Sequence, residues 1–194
     1  SVKKLIKRGI NNAYSEITYP LARVNFFTCR FYSALDITNY DGVKPDIIML
    51  TDLHTANWTM IDPFTEAIQI QGRFRKREDE EATYTSLTHI STINPDIIVR
   101  SKEEIDIKVE QFIRNHETLQ KQHNNANNDM KKEAISEDLK NLKYEDLLDD
   151  KGEINPFAID NLQNEERVHA YYKSAEDLYQ AYQRTGFFNV TLNN

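Results

Sequence analysis

The chain has 194 residues, a net charge of −7 and 39% hydrophobic residues, which suits one domain or one and a half with a core of its own. No apolar run approaches the roughly 20 residues that a membrane-spanning helix needs, and the basic start lacks the long apolar stretch of a signal peptide. The single cysteine, Cys29, excludes an internal disulfide and a thiolate metal site, and it fits a reducing cytoplasm.

The charge is unevenly distributed along the sequence. Residues 1–77 hold 11 Lys and Arg against 7 Asp and Glu, a net of +4, whereas residues 78–194 hold 13 against 24, a net of −11. This pattern fits a phosphate-facing half joined to an acidic, solvated extension, and ordinary surface variation explains it at least as well.

The first predicted elements are a short helix and two strands. Residues 1–9 predict a helix with its apolar side chains facing inward and its lysines outward. Residues 22–28 predict a strand because they hold aromatic and branched side chains. The continuous apolar run at residues 47–52 predicts a strand that is buried on both faces, as in a parallel sheet.

A helix with a basic end is predicted next. Asp62 can cap it, and Pro63 suits the first helical position. Its apolar side can dock on a core while Gln69, Gly72 and Arg73 project from a neighbouring face, and four cations lie within residues 73–77. Such a cluster suits a polyphosphate because arginine offers a planar fork of charged donors. The alternative is a helix whose basic end only complements its own dipole.

Residues 83–93 predict another strand, so that strand, helix and strand follow one another in an α/β order. The remaining sequence predicts a mainly α-helical extension. Its expected helices start at Ser101, near Met130, at Pro156 and after Ser174, with a polar link at residues 123–129 and a terminal strand at residues 187–190. The second of these helices is expected to run to Leu148.

Two segments about forty residues apart share their residue types and spacing with a known family. These are Thr28, Asp36 and Ile37 in the first segment, with Ala34 where glycine is usual, and Gln69, Gly72 and Arg73 in the second, followed by Lys76. Together they resemble motifs V and VI of superfamily-two helicases and translocases, which lie in the second of two RecA-like domains. The resemblance implies an α/β fold with a partial RecA-like parallel sheet and flanking helices over residues 1–100, followed by the helical extension over residues 101–194. Because such a domain has roughly two more strands and helices before residue 22, we expect the chain to begin inside it.

The resemblance also implies roles for these residues. In this family ATP binds between the two RecA-like domains, and Arg73 is the first choice for the arginine that stabilises charge during phosphoryl transfer. Gln69 would hydrogen-bond a phosphate or the water-activating groups of the other domain. The other ATP-binding candidates are Gly72, Asp36 and Lys76, and the nucleic-acid candidates are Thr28 and Arg30.

The second arginine finger has two candidates. On an unbroken helix Lys76 lies about 60° from Arg73 and Arg75 about 160° away, so geometry favours Lys76. Chemistry favours Arg75, because an ammonium group cannot form a fork of two hydrogen bonds.

The sequence contains no G-x-x-x-x-G-K-[ST] phosphate loop. We therefore expect ATP and Mg²⁺ to be used only in a complete protein with an N-terminal motor domain, and this chain to be inactive alone. The expected partners are that domain and nucleic acid, DNA rather than RNA, with no membrane and a cytoplasmic location. The five histidines show no ligand-like clustering, so no metal site is expected. The alternative function is a non-catalytic module that binds nucleic acid or protein.

Overall fold

The computed structural model describes residues 2–28, 36–37, 44–75, 83–142 and 145–193. These residues form a mixed α/β protein with six α-helices, two short 3-10 helices and one two-stranded parallel sheet. The α/β class expected from the sequence is confirmed at this level. Cys29, Arg30, Ala34 and Lys76, which the sequence predictions use, lie outside the described residues.

The chain divides into two compact units. Unit 1 comprises Ser1–Thr92 and Ala181–Val190, and unit 2 comprises Ile93–Gln180 and Thr191–Asn194. Unit 2 is therefore inserted in the sequence between two parts of unit 1. The predicted domain boundary after residue 100 stays a prediction.

Unit 1 contains the parallel sheet. Helix α1 (Val2–Lys7) comes first, strand β1 (Asp46–Thr51) leads through a 3-10 turn (Asn57–Thr59) to helix α2 (Glu66–Gly72), and strand β2 (Ser86–Ser91) follows. The two strands pair in parallel from Asp46 opposite Ser86 to Thr51 opposite Ser91. Both strands lie where the sequence predicts them, and the helix between them begins three residues later than predicted.

Only one face of β1 is buried, so the prediction of burial on both faces is wrong. Ile47, Met49 and Thr51 are buried, whereas Ile48 and Leu50 remain 59% and 56% exposed. Alternate residues of a strand point to opposite faces, and the described residues cover only the face that carries Met49. A continuous apolar run identifies a strand but does not show which of its faces has a covering layer.

Three further expectations for unit 1 are corrected. Helix α1 forms and Gly9 follows it with φ +83°, but none of its residues is buried, so its apolar side chains do not face inward. Residues 22–28 form no strand, and Val24 and Phe26 are strongly exposed. Residues 187–190 form no strand either. Strand propensity depends on a paired neighbour, and these two segments have none among the described residues, so aromatic and branched side chains alone do not produce a strand there.

Unit 2 is helical. It contains α3 (Lys102–Asn124), α4 (Asp129–Lys140), a 3-10 turn (Glu145–Leu147) and α5 (Pro156–Tyr171). Helix α6 (Ala175–Arg184) begins in unit 2, and its last residues belong to unit 1. The core of unit 2 is formed by the buried residues Ile105, Val109, Phe112 and Leu147, against which Ala158, Ile159 and Leu162 of α5 pack.

The helix starts of unit 2 follow their capping residues. Ser101 and Glu104 form a reciprocal capping box at α3, Asn155 caps α5 with Pro156 in the first turn, and the Ser174 hydroxyl accepts the Asp177 N–H at 3.0 Å before α6. The ends differ from the predictions. Helix α3 continues through His123 into the expected link, and α4 ends at Lys140 rather than Leu148. Among the described helices, none has the length and apolar character needed to cross a bilayer.

Candidate functional site

Unit 1 brings the two motif-like segments together. Ile37 and Phe74 form a single parallel β-bridge. The Ile37 N–H donates to the Arg73 carbonyl at 2.6 Å, and the Arg75 N–H donates to the Ile37 carbonyl at 3.1 Å. Ile37 is 5% exposed, so the bridge is anchored in the core. Residues that are 36 positions apart in sequence are thus held in fixed register by their backbones.

This register places one carboxylate beside two guanidinium groups. Asp36 Oδ1 lies 3.0 Å from Arg75 Nε and 3.6 Å from Arg73 Nη1. The side chains are 48% exposed for Asp36, 55% for Arg75 and 23% for Arg73, so the group lies at the protein surface. We call these three residues the Asp36 cluster.

The end of α2 explains why both arginines reach Asp36. The helix ends at Gly72, and Arg73 follows as its C-cap. Because residue 75 is no longer on the helix, the angle of about 160° that separates it from Arg73 on an unbroken helix does not apply. Both guanidinium groups therefore face the same carboxylate. This geometry puts Arg75 beside Arg73. Lys76, the other candidate for the second arginine finger, lies outside the described residues.

A buried turn fixes the start of α2. The helix begins at Glu66, three residues later than predicted, because residues 63–65 form a turn. The Asp62 carboxylate accepts the Phe64 N–H at 3.1 Å and the Thr65 hydroxyl at 3.0 Å, and Glu66 Oε2 accepts the Asp62 N–H at 3.0 Å. The N-cap of α2 is Thr65, which makes no side-chain capping hydrogen bond, so the prediction that Asp62 caps the helix is wrong. Asp62 instead stabilises the turn that leads into the helix. Pro63 is fully buried beside it, which anchors this end of α2.

The other candidate residues lie on exposed parts of unit 1. Gln69 and Gly72 are exposed on α2, and Thr28 is exposed in an irregular segment. A Cβ atom at Gly72 would meet nothing within 4 Å among the described residues, and this glycine does not have a positive φ. The described fold therefore gives no steric reason for glycine at position 72.

A second polar group in unit 1 was missed by sequence reasoning. Thr51 Oγ1 lies 3.0 Å from His89 Nε2, and the Tyr182 hydroxyl lies 2.9 Å from His89 Nδ1. The Thr51 hydroxyl donates its own proton to the Thr59 carbonyl, so it accepts from His89 Nε2–H, and Tyr182 donates to Nδ1. Burial lowers the pKa of His89 to about 4, which keeps this imidazole neutral. The alternation of side chains along β2 predicts that His89 lies on the same face as Leu87. Nothing in the sequence predicts the contact of His89 with Tyr182.

Unit 2 holds a buried ion pair beside a small cavity. The Glu166 carboxylate, 4% exposed, accepts the Arg100 N–H at 2.9 Å and also pairs with the Arg100 guanidinium. Burial alone would raise the pKa of Glu166, but the two hydrogen bonds from Arg100 outweigh it and hold this pKa below its usual value. The cavity, about 200 Å³, is lined by Val99, Arg100, Lys102, Ile105, Gln163, Glu166, Arg167 and Ala170. Glu166 is committed to Arg100, so its role here is to fix α5 to the segment that precedes α3.

Within the described parts of the chain, no group of three or more His, Cys, Asp or Glu side chains could hold a metal ion. Comparison with protein-family models, curated proteins and solved structures finds no match for this chain. The features that bear on function are therefore the Asp36 cluster and the spacing of the two motif-like segments.

Proposed function

We propose that this chain is the C-terminal part of an ATP-dependent nucleic-acid helicase or translocase. In this proposal, residues 1–100 belong to the second RecA-like domain and supply motifs V and VI to an ATP site that is shared with an N-terminal motor domain. Arg73 is the first arginine finger, and Arg75 is the second. The nucleic acid is DNA rather than RNA, and the protein acts in the cytoplasm.

The observation that carries the proposal is the pairing of the two motif-like segments. Spacing in the sequence selects residues 28–37 and 69–76 without any knowledge of the fold. The bridge between Ile37 and Phe74 and the ion pairs of Asp36 with both arginines then join the ends of these segments. The order β1, α2, β2 with a parallel strand pair is also the order expected of that part of a RecA-like domain.

In this proposal the arginines of the Asp36 cluster would act electrostatically. ATP would supply the γ-phosphoryl group, and the motor domain would supply the acidic residues that hold Mg²⁺. The guanidinium groups of Arg73 and Arg75 lie at the surface, and the backbone bridge holds their residues near one carboxylate. Guanidinium groups suit phosphate oxygens because each presents charged N–H donors in a planar fork. An arginine finger of this kind is worth about 10³–10⁵-fold in rate. Gln69, exposed one helical turn before Arg73, would orient a phosphate or the attacking water.

The test joins this chain to the coding sequence that precedes it in its gene and measures ATP hydrolysis with and without single-stranded DNA. Arg73→Ala should lower the stimulated rate by about 10³-fold or more while the circular dichroism spectrum stays the same. The matched control is Arg114→Ala, which removes an equally charged side chain and an exposed ion pair with Glu110 on α3. A stimulated rate that survives Arg73→Ala would remove the assignment of Arg73.

A non-catalytic interaction module is the second candidate. One observation favours it: Arg73 and Arg75 both pair with a carboxylate of the same chain, as two ion pairs with a purely structural role would. In that case the basic residues would contact phosphate groups of nucleic acid or an acidic partner. Binding would weaken with salt and would not respond to ATP.

A further inference from the structure

Residues 2–26 precede the sheet of unit 1, and we call them the basic arm. Helix α1 opens the arm, and residues 10–26 form neither helix nor strand. Every residue of the arm is exposed or half-buried. Two hydrogen bonds between Ala22 and Asn25 close a local turn near its end. The arm is therefore a surface segment that contributes no fully buried side chain to a core.

The arm holds the whole excess of positive charge in residues 1–77. It carries five cations and one carboxylate, and residues 27–77 hold six Lys and Arg against six Asp and Glu. Among the described residues, no carboxylate pairs with any cation of the arm. Its charged side chains are all exposed, and they are Lys3, Lys4, Lys7, Arg8, Glu16 and Arg23. The arm is thus a surface of net charge +4 that suits an anionic partner.

Exposed aromatic rings lie along the same segment. Tyr14 is 57% exposed, Tyr19 is 45% exposed and Phe26 is 86% exposed. None of these three rings packs on another aromatic ring among the described residues. Apolar surface in contact with water is unfavourable, so a partner that covers these rings gains free energy.

Cations and aromatic rings in one irregular segment match the chemistry of a single nucleic-acid strand. Cations contact the backbone phosphates, and unpaired bases stack on aromatic faces. The bases of a duplex are already stacked on one another, so their faces are not accessible to the arm. A lipid bilayer fits less well, because insertion of the rings would bring an irregular backbone with unpaired N–H and C=O groups towards hydrocarbon.

We propose that the basic arm binds single-stranded nucleic acid without reading its sequence. The lysines and arginines contact phosphates, and Tyr14, Tyr19 and Phe26 stack on bases. The inference goes beyond the proposed function, because residues 2–26 contain none of the residues assigned to motifs V and VI. It also needs no ATP and no motor domain.

The first experiment measures the binding of a labelled oligothymidylate of about 20 nucleotides to the whole chain by fluorescence anisotropy, a length that exceeds the usual site of one binding fold. Phe26→Ala should weaken binding about tenfold, the effect of losing one stacked base. Phe26→Trp should keep the affinity within about twofold, because it keeps a flat aromatic face. Phe26→Leu should weaken binding as Phe26→Ala does, because leucine is apolar but offers no such face.

The matched control for Phe26 lies in unit 2. Phe157→Ala removes a ring that is 77% exposed at the start of α5, and it should leave the affinity unchanged. Because position 26 is as exposed as position 157, the circular dichroism spectra of all these variants should match that of the unaltered chain.

The second experiment repeats the titration at several salt concentrations. For a single strand, the logarithm of the binding constant falls with the logarithm of the salt concentration by about 0.7 for each phosphate contact. The double variant Lys7→Gln, Arg8→Gln should therefore reduce this slope by about 1.4. The double variant Lys131→Gln, Lys132→Gln removes the same charge from exposed positions of α4 and should keep the original slope.

Three results would overturn the proposal. Full affinity in Phe26→Leu would show that the ring does not stack on a base. Tighter binding of a duplex of the same length would show that the arm responds only to charge density. Binding to vesicles that contain phosphatidylserine, without binding to the oligothymidylate, would identify a membrane surface as the partner instead.

Discussion

Gly72 is the residue at which the sequence pattern and the described fold differ most. The motif-like spacing selects a glycine here, whereas the last position of α2 has an ordinary helical conformation with open space around it. Nothing among the described residues therefore requires a glycine at this position.

The substitution Gly72→Ala should stabilise the chain by about 0.5–1 kcal/mol, because alanine loses less conformational entropy in a helix. Urea unfolding followed by circular dichroism would measure it as a higher midpoint with an unchanged slope. The control is Gly186→Ala, which also has open space but a φ of +69°, so it should destabilise the chain by about 1 kcal/mol. If Gly72→Ala destabilises the chain, position 72 is more constrained than the described residues around it indicate.

His89 should make the stability of unit 1 depend on pH. Its pKa is about 4 in the folded chain and about 6.5 when unfolded, so between these values the unfolded chain binds more protons. The free energy of unfolding should therefore fall as the pH is lowered from 6.5 to 4, by about 3 kcal/mol from this residue. Urea titrations across that range would measure it.

The same titrations on two variants separate His89 from the other ionisable groups. His89→Gln keeps a donor and an acceptor but cannot be protonated, so the fall between pH 6.5 and 4 should become shallower. His54→Gln makes the same exchange at an exposed site and keeps His89, so the fall between pH 6.5 and 4 should persist. If both variants keep the original slope, His89 is not the source of the dependence.

At the scale of the element, the helix starts of unit 2 could be predicted from the sequence, whereas the ends of α3 and α4 could not. The side chains of Ser101 and Asn155 accept free backbone N–H groups in the first turns of α3 and α5. Because this capping is local, a few residues are enough to predict where each helix begins. The end of α4 at Lys140 depends on what the following residues pack against. Leu142 and Leu147 continue the apolar spacing, but Leu147 lies buried in a separate 3-10 turn.

The contacts of the candidate site were predictable to a similarly limited extent. Spacing selected Asp36 and Arg73, and the fork of donors on a guanidinium group favoured Arg75 over Lys76. The structure brings Asp36, Arg73 and Arg75 together. The pairing of His89 with Tyr182 joins residues 93 positions apart, and neither residue belongs to a motif. The exposure of Ile48 and Leu50 was missed for the same reason, since burial depends on distant parts of the chain.

Glu166 joins α5 to the segment that precedes α3, and its removal should weaken unit 2. Glu166→Ala would leave the Arg100 N–H and guanidinium without their buried partner, at a cost of about 2–4 kcal/mol, reduced from the fully buried case because Arg100 is partly exposed. The adjacent Glu165→Ala, at an exposed site, should cost less than 0.5 kcal/mol. Thermal unfolding of both variants would measure the difference, and equal melting temperatures would contradict this role.

For the whole molecule, the discontinuity of unit 1 has a measurable effect. A chain that ends after Gln180 lacks Ala181 and Tyr182, which are both buried, and His89 loses its hydrogen bond from the Tyr182 hydroxyl. Amide hydrogen exchange in β1 and β2 should become at least tenfold faster in this truncated chain. A chain that ends after Val190 is the control, because Thr191, Leu192 and Asn193 are exposed, and its strands should exchange at the original rate. Equal protection in both chains would show that residues 181–190 do not stabilise the sheet.

The interrupted order of unit 1 also affects its synthesis on the ribosome. Translation proceeds at roughly 5–20 residues per second, so several seconds separate the emergence of β2 from that of Tyr182. During this interval the nascent chain can complete the inserted helices, whose core contacts all lie within residues 93–180. Until Tyr182 is translated, the face of the sheet that carries His89 lacks the hydroxyl that donates to this histidine.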